Sequence, residues 1–116
     1  VVASHLVGDL LTDRGGTLSG GLGLAPSCNI NPEREFPSMF EPVHGSAPDI
    51  AGQGIANPVA SVLSAAMMLD HLDETEPASQ LRRAVEKTLV SGQGTRDLGG
   101  DLSTSQMGDL LIESLH

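Results

Sequence analysis

The 116-residue sequence has no tryptophan, no tyrosine, two phenylalanines and a single cysteine. One cysteine cannot close an internal disulfide, so Cys28 excludes a disulfide framework and points to a reducing, cytoplasmic setting. Positive charge is equally scarce, with 6 Lys and Arg against 15 Asp and Glu and a net charge of −9. Affinity for nucleic acid rests mainly on Lys and Arg that neutralise phosphates, so this balance argues against a nucleic-acid partner. No apolar run approaches the roughly 18 residues of a membrane span, and no membrane partner is expected. The opening residues lack the basic, apolar, small-residue order of a signal segment.

An initiator methionine is also missing, and Val1-Val2-Ala3 reads as the end of a buried strand. With so few aromatics, Leu, Val, Ala and Met must fill the core, interrupted by 14 Gly and 7 Pro. The expectation is one unit over residues 1–116, a segment of a longer protein and incomplete as a domain.

What is present has helical and strand signals in alternation. Leu6 to Leu18 has Leu10, Leu11 and Leu18 on one side, but Gly8, Gly15 and Gly16 each cost about 1 kcal/mol relative to Ala, so this helix needs tertiary support. Short strands are expected near Ser27–Ile30 and over Met39–Val43, and residues 44–57 have no period and read as a loop. Asn57 is a good N-cap and Pro58 suits a first helical position. The helix that follows is apolar nearly all round, the pattern of a buried helix. Pro77 opens an amphipathic helix with Leu81, Val85, Thr88 and Leu89 inward, and Gly92 ends it. Ser103-Thr104-Ser105-Gln106 is a capping box, and Met107, Leu110, Leu111 and Leu115 form the inner face of the last helix. The class is α/β, with helices packed on a mixed sheet.

Two groups of residues carry chemistry. Asp9 and Asp13, four apart, share one helix face, where like charges repel by a few tenths of a kcal/mol unless a hard divalent cation binds both. Gly108-Asp109-Leu110-Leu111-Ile112-Glu113 nearly repeats that motif, so spacing alone prefers neither pair. The loop His44-Gly45-Ser46-Ala47-Pro48-Asp49-Ile50 is the second group. Gly45 permits close approach of a ligand, and Pro48 restrains Ala47 toward extended backbone. A carboxylate at Asp49 suits two ribose hydroxyls and repels a 2′-phosphate. On chemistry alone an ordinary surface turn is the simpler reading, and the G-x-G-x-x-G fingerprint is absent. His5, His71 and His116 lack partners at ligand spacing, and Lys87 falls on a polar helix face.

Taken in order, Gly8-Asp9-Leu10-Leu11-Thr12-Asp13, Gly21-Leu22-Gly23-Leu24-Ala25-Pro26-Ser27, Phe40 through Gly52 and Ile55-Ala56-Asn57-Pro58 resemble the β-decarboxylating dehydrogenases. That family includes the isopropylmalate, isocitrate, tartrate and D-malate enzymes. Asn29 to Arg34 and Phe36 to Phe40 resemble the tartrate/D-malate branch most, and the similarity runs through Thr95-Arg96-Asp97-Leu98. The resemblance covers essentially the whole chain but only the C-terminal third of a family member. It implies part of an isopropylmalate/isocitrate dehydrogenase-like fold, NAD and Mg²⁺ or Mn²⁺ as cofactors, a 2-hydroxy dicarboxylate substrate, and a homodimer in the full-length protein.

By the same resemblance, Asp9 and Asp13 match two metal-ligating aspartates. His44, Gly45, Ser46, Ala47, Pro48, Asp49, Ile50, Ala51 and Gly52 match the NAD loop, Asn57 an adenine contact, and Asp97 lies close to the same pocket. The catalytic tyrosine and lysine have no counterpart here, so catalytic residues are expected to be none and the segment alone inactive. His5 and Val7 replace the more usual Asn and Phe before Gly-Asp. A non-catalytic nucleotide-binding or dimerisation remnant that needs a partner chain is the alternative.

Overall fold

The structure, a computed structural model, describes residues 2–18 and 20–116, the side chain of Asp13 excepted. Its helices are α1 (His5–Leu18), α2 (Val59–His71), α3 (Thr75–Val90) and α4 (Thr104–Ser114), and its strands are β1 (Pro26–Asn29) and β2 (Met39–Pro42). The strands pair antiparallel with Pro26 opposite Pro42 and Asn29 opposite Met39. Each proline therefore sits at a strand end, where a missing N–H costs the ladder least. Parallel pairing among the described residues is confined to the isolated bridge Thr95–Leu102.

α2 is the hub of the fold, packing on both strands and on α3, while α3 packs in turn on α4. Val59, Val85, Met107 and Leu111 are buried together, with Leu24, Val62, Leu63, Leu89, Leu98 and Leu102 against them. Each such side chain contributes roughly 1.5–3 kcal/mol by leaving water. The inward positions read from the sequence of α3 hold for Val85 and Thr88. The capping box of α4 also forms, with the Gln106 N–H donating to Ser103 Oγ at 3.2 Å and the Ser103 N–H donating to Gln106 Oε1 at 2.9 Å. Gly92 ends α3 with a φ of 74°, a left-handed conformation that an L side chain resists. No helix among the described residues is long and apolar enough to cross a membrane.

Three expectations need correction. Val2 and Ala3 pair with no strand among the described residues, and Val1 lies outside them. α2 is buried at Val59, Ala60, Ser64 and Ala66 but not all round, since Met68 near its end is 40% exposed. Leu115 lies past the end of α4 and is exposed rather than inward. The support that α1 requires is also slight. It packs mainly on the 3₁₀ turn Leu22–Leu24, and Leu6, Val7, Leu10, Leu11 and Leu18 are all exposed.

Candidate functional site

Residues 44–57 form no helix or strand, as expected, and bend along one wall of a cleft of about 830 Å³. His44, Gly45, Ser46, Ala47, Ile50, Ala51, Gly52 and Asn57 line it from this loop. Gly23 from the glycine-rich turn, Arg96 and Asp97 from the 3₁₀ turn Arg96–Leu98, and Thr104 and Ser105 from the start of α4 complete the lining. Pro48 and Asp49 are exposed and lie outside that lining. The Asp49 carbonyl accepts a hydrogen bond from Gln53 Nε2 at 2.7 Å, which ties the loop to itself.

The loop holds one backbone conformation that the sequence does not predict. Ala47 has a φ of 43° although Pro48 follows it and disfavours compact conformations at that position. Directly after it, a turn over residues 47–50 is closed by the Ile50 N–H donating to the Ala47 carbonyl at 3.0 Å. Left-handed backbone at a non-glycine residue costs on the order of 1–3 kcal/mol, so the surrounding loop contacts must hold it.

Hydrogen bonds from distant segments fix the floor of the cleft. Asn57 is 8% exposed, and its Oδ1 accepts from the Val59 N–H at 3.0 Å while its Nδ2 donates to Asp97 Oδ2 at 2.9 Å. This is the helix-capping role expected of Asn57, although Pro58 occupies the position directly before α2. The second oxygen of Asp97 accepts from the hydroxyl of Thr95, a fully buried side chain, at 2.5 Å. The amide of Asn57 is therefore held in one orientation by partners at both ends. Gly23 closes against the same pair, because a Cβ there would overlap Asp97 Oδ2 and stand 3.1 Å from Asn57 Nδ2. The Thr104 hydroxyl donates to the Ala56 carbonyl at 2.6 Å and the Thr104 N–H to the Gly54 carbonyl at 2.8 Å, pinning the end of the loop to α4.

Asp9 is not among the residues that line this cleft. Asp9 is exposed on α1, and His5 Nε2 lies 3.2 Å from its Oδ2, so His5 does have a partner one turn away. The backbone of Asp13 continues α1, but its side chain lies outside the described residues. No group of three or more metal-ligating side chains occurs among the described residues. His71 is partnered across the fold: its Nε2 lies 3.2 Å from Ser38 Oγ and its ring leans on Phe40.

The sequence reading named the loop, Asn57 and Asp97, and the fold brings them together. It missed Gly23, Thr95, Arg96, Thr104 and Ser105 as parts of the same site. Only the continuation of the family pattern through residues 95–98 hinted at the 3₁₀ turn.

A family model described as "Isocitrate/isopropylmalate dehydrogenase" matches residues 1–111. A probable tartrate dehydrogenase/decarboxylase of Bacillus subtilis is 50% identical over 115 residues, which are 99% of this chain and 32% of that protein. An isocitrate/homoisocitrate dehydrogenase of Thermus thermophilus is 53% identical over 99% of this chain and 34% of its own length. Among solved structures, isocitrate dehydrogenase from Methylococcus capsulatus superposes with a TM-score of 0.86 at 43% identity, covering 93% of this chain and 32% of that one. A β-decarboxylating dehydrogenase from Thermococcus kodakarensis gives a TM-score of 0.83, also at 43% identity, over 95% of this chain and 32% of its own. The chain thus spans about a third of the length of these relatives. With its residues 1–111 matched by that family model, this chain is a member of the isocitrate/isopropylmalate dehydrogenase family.

Proposed function

We propose that this segment forms the adenosine-binding wall and two of the metal carboxylates of an NAD-dependent, Mg²⁺- or Mn²⁺-dependent enzyme that oxidatively decarboxylates a 2-hydroxy dicarboxylate of the tartrate/D-malate kind. One observation carries the reading: loop 44–57, Gly23 and residues 95–97 converge on a single cleft through the hydrogen bonds of Asn57 and Asp97. The cleft fits half of a dinucleotide in size, since ligand pockets generally fall at ~300–1,000 Å³. Its mostly apolar lining suits a purine ring, and its few polar groups are fixed before binding, which lowers the ordering cost of association.

The donor chemistry of α1 fits a hard cation in part. Asp9 and Asp13 would hold it, and such an ion commonly takes one or two protein carboxylates together with substrate oxygens. When bound, it would polarise the substrate's hydroxyl and carbonyl oxygens. Proton transfer from the substrate hydroxyl and to the decarboxylated product requires a base and an acid within hydrogen-bond reach. The sequence has no tyrosine, and its one lysine, Lys87, is exposed on α3 and lines no part of the cleft. Those proton-transfer groups therefore belong to other parts of the whole enzyme, which we take to be a cytoplasmic homodimer that also covers the apolar face of α1.

The test is an assay of the 116-residue chain and of a longer chain containing it, each with NAD, Mn²⁺ and a panel of 2-hydroxy dicarboxylates. Turnover only by the longer chain is expected. Turnover by the 116 residues alone would overturn the division of roles, and absence of NAD binding by both would leave only the non-catalytic remnant.

A further inference from the structure

The sequence has only two phenylalanines and no tyrosine or tryptophan, yet the fold brings both phenylalanines to one hollow of about 340 Å³. Phe36 comes from the loop between β1 and β2, Phe40 from β2, and Met68, His71 and Leu72 from the end of α2 and just past it. Phe36 is 70% exposed, and Met68 and Leu72 are exposed as well, so an apolar wall faces solvent, the setting of a ligand or partner site. The hollow shares no lining residue with the cleft at loop 44–57.

The loop that forms one side of it is tied to itself and to α2. Asn31 Oδ1 accepts from the Glu33 N–H at 3.1 Å, the Asn31 carbonyl from the Arg34 N–H at 3.1 Å, and the Asn31 N–H donates to Ser38 Oγ at 3.0 Å. Arg34, which also lines the hollow, reaches the end of α2, where its Nη2 donates to the His71 carbonyl at 2.7 Å and to Asp73 Oδ2 at 3.2 Å. Both partners of that ion pair have left-handed backbone, with φ 57° at Arg34 and 66° at Asp73. Such backbone at non-glycine residues costs free energy and gathers at ligand clamps. The third example among the described residues, Ala47, lines the cleft. Because both bonds of Arg34 use Nη2, its Nε and Nη1 donors have no partner among the described residues.

We propose that this hollow binds a small aromatic monocarboxylate, its ring against Phe36, Phe40 and Met68 and its carboxylate on the open donors of Arg34. A guanidinium fork matches a carboxylate through parallel charge-assisted bonds, and aromatic and thioether groups pack well on a ring. The nearby Asp73 carboxylate disfavours a dianionic head such as a phosphate ester. A 2-hydroxy dicarboxylate, in turn, has no apolar body for these walls. The volume lies within the ~300–1,000 Å³ of ligand pockets.

NMR of the whole protein, labelled at its methionine methyl groups and titrated with benzoate, tests the proposal. The Met68 methyl should shift and saturate, while the Met107 methyl, fully buried in the core, stays fixed. Arg34→Gln and Phe36→Ala, both at the surface, should each weaken benzoate roughly tenfold. Benzyl alcohol keeps the ring without the charge, so it should bind more weakly than benzoate to the unsubstituted protein and equally well to Arg34→Gln. No saturable Met68 shift with benzoate would overturn the site, including the case in which another part of the chain fills it. A shift indifferent to both substitutions would overturn the assignment of these walls, and benzyl alcohol binding as tightly as benzoate would overturn the role of Arg34.

Discussion

Replacing Gly23 by alanine is the smallest change that strikes the floor of the cleft. The added Cβ would overlap Asp97 Oδ2 and stand 3.1 and 3.2 Å from Nδ2 and Cβ of Asn57, both closer than ordinary van der Waals contact. Gly23 is not among the positive-φ glycines, so the penalty comes from contact and not from backbone strain. Overpacking of this kind costs typically ~1–3 kcal/mol. If Asp97 swings away instead, the 2.9 Å bond to Asn57 is lost, and a hydrogen bond to a charged group is worth about 1.5–3 kcal/mol. Either route gives a loss on the order of 2 kcal/mol and frees the Asn57 amide, so NAD affinity should fall with stability. Denaturant midpoints measured in a double-mutant cycle with Asp97→Ala isolate the cause. Removing the Asp97 carboxylate removes the overlap, so the two changes together should cost less than the sum of the single changes, by about 0.5–3 kcal/mol. Strict additivity, or a Gly23→Ala protein of unaltered stability and NAD affinity, would refute the packing argument.

Other perturbations test the remaining parts. Asp49→Lys in the whole protein should weaken NAD relative to NADP, read as the ratio of kcat/KM values; an unchanged ratio counts against the loop assignment. Asp13→Asn should abolish metal-dependent turnover while Glu113→Gln does not, and equal effects would show that the first acid pair is not special. Ser103→Ala removes the capping box of α4 and should cost about 0.5–2 kcal/mol by thermal or denaturant unfolding. The hydrogen bond from Arg82 holds the carboxyl of Asp70 below its ordinary range. That pair therefore favours the folded state above the usual carboxylate pKa and loses this effect as pH falls through the lowered one. Asp70→Asn should flatten the acid limb of the stability curve slightly, and added salt should mask the difference.

Elements specified by short-range chemistry were legible. The capping box at Ser103, the Asn57 cap of α2 and Gly92 after α3 each formed where the sequence places it, while Pro58 sits one residue before α2 and not at its first position. Features that depend on distant segments were not. Nothing near Gly23 announces that Asp97 and Asn57 close over it, and nothing in the Ala47-Pro48 pair predicts a left-handed alanine. The leucine side of α1 was read correctly as apolar, yet Leu10 and Leu11 are each 56% exposed because no described segment lies over them. The role of Asp49 was assigned by resemblance and its chemistry is sound, but its placement outside the lining is a tertiary outcome.

The central claim is that residues 44–57 and 94–105 grip the adenosine end of a dinucleotide. Hydrogen–deuterium exchange of the whole protein with and without saturating NAD tests it most directly. The account predicts slowed exchange concentrated in those two stretches, with Gly23 and its neighbours following. Slowed exchange confined to other segments, with both stretches unaffected, would contradict it.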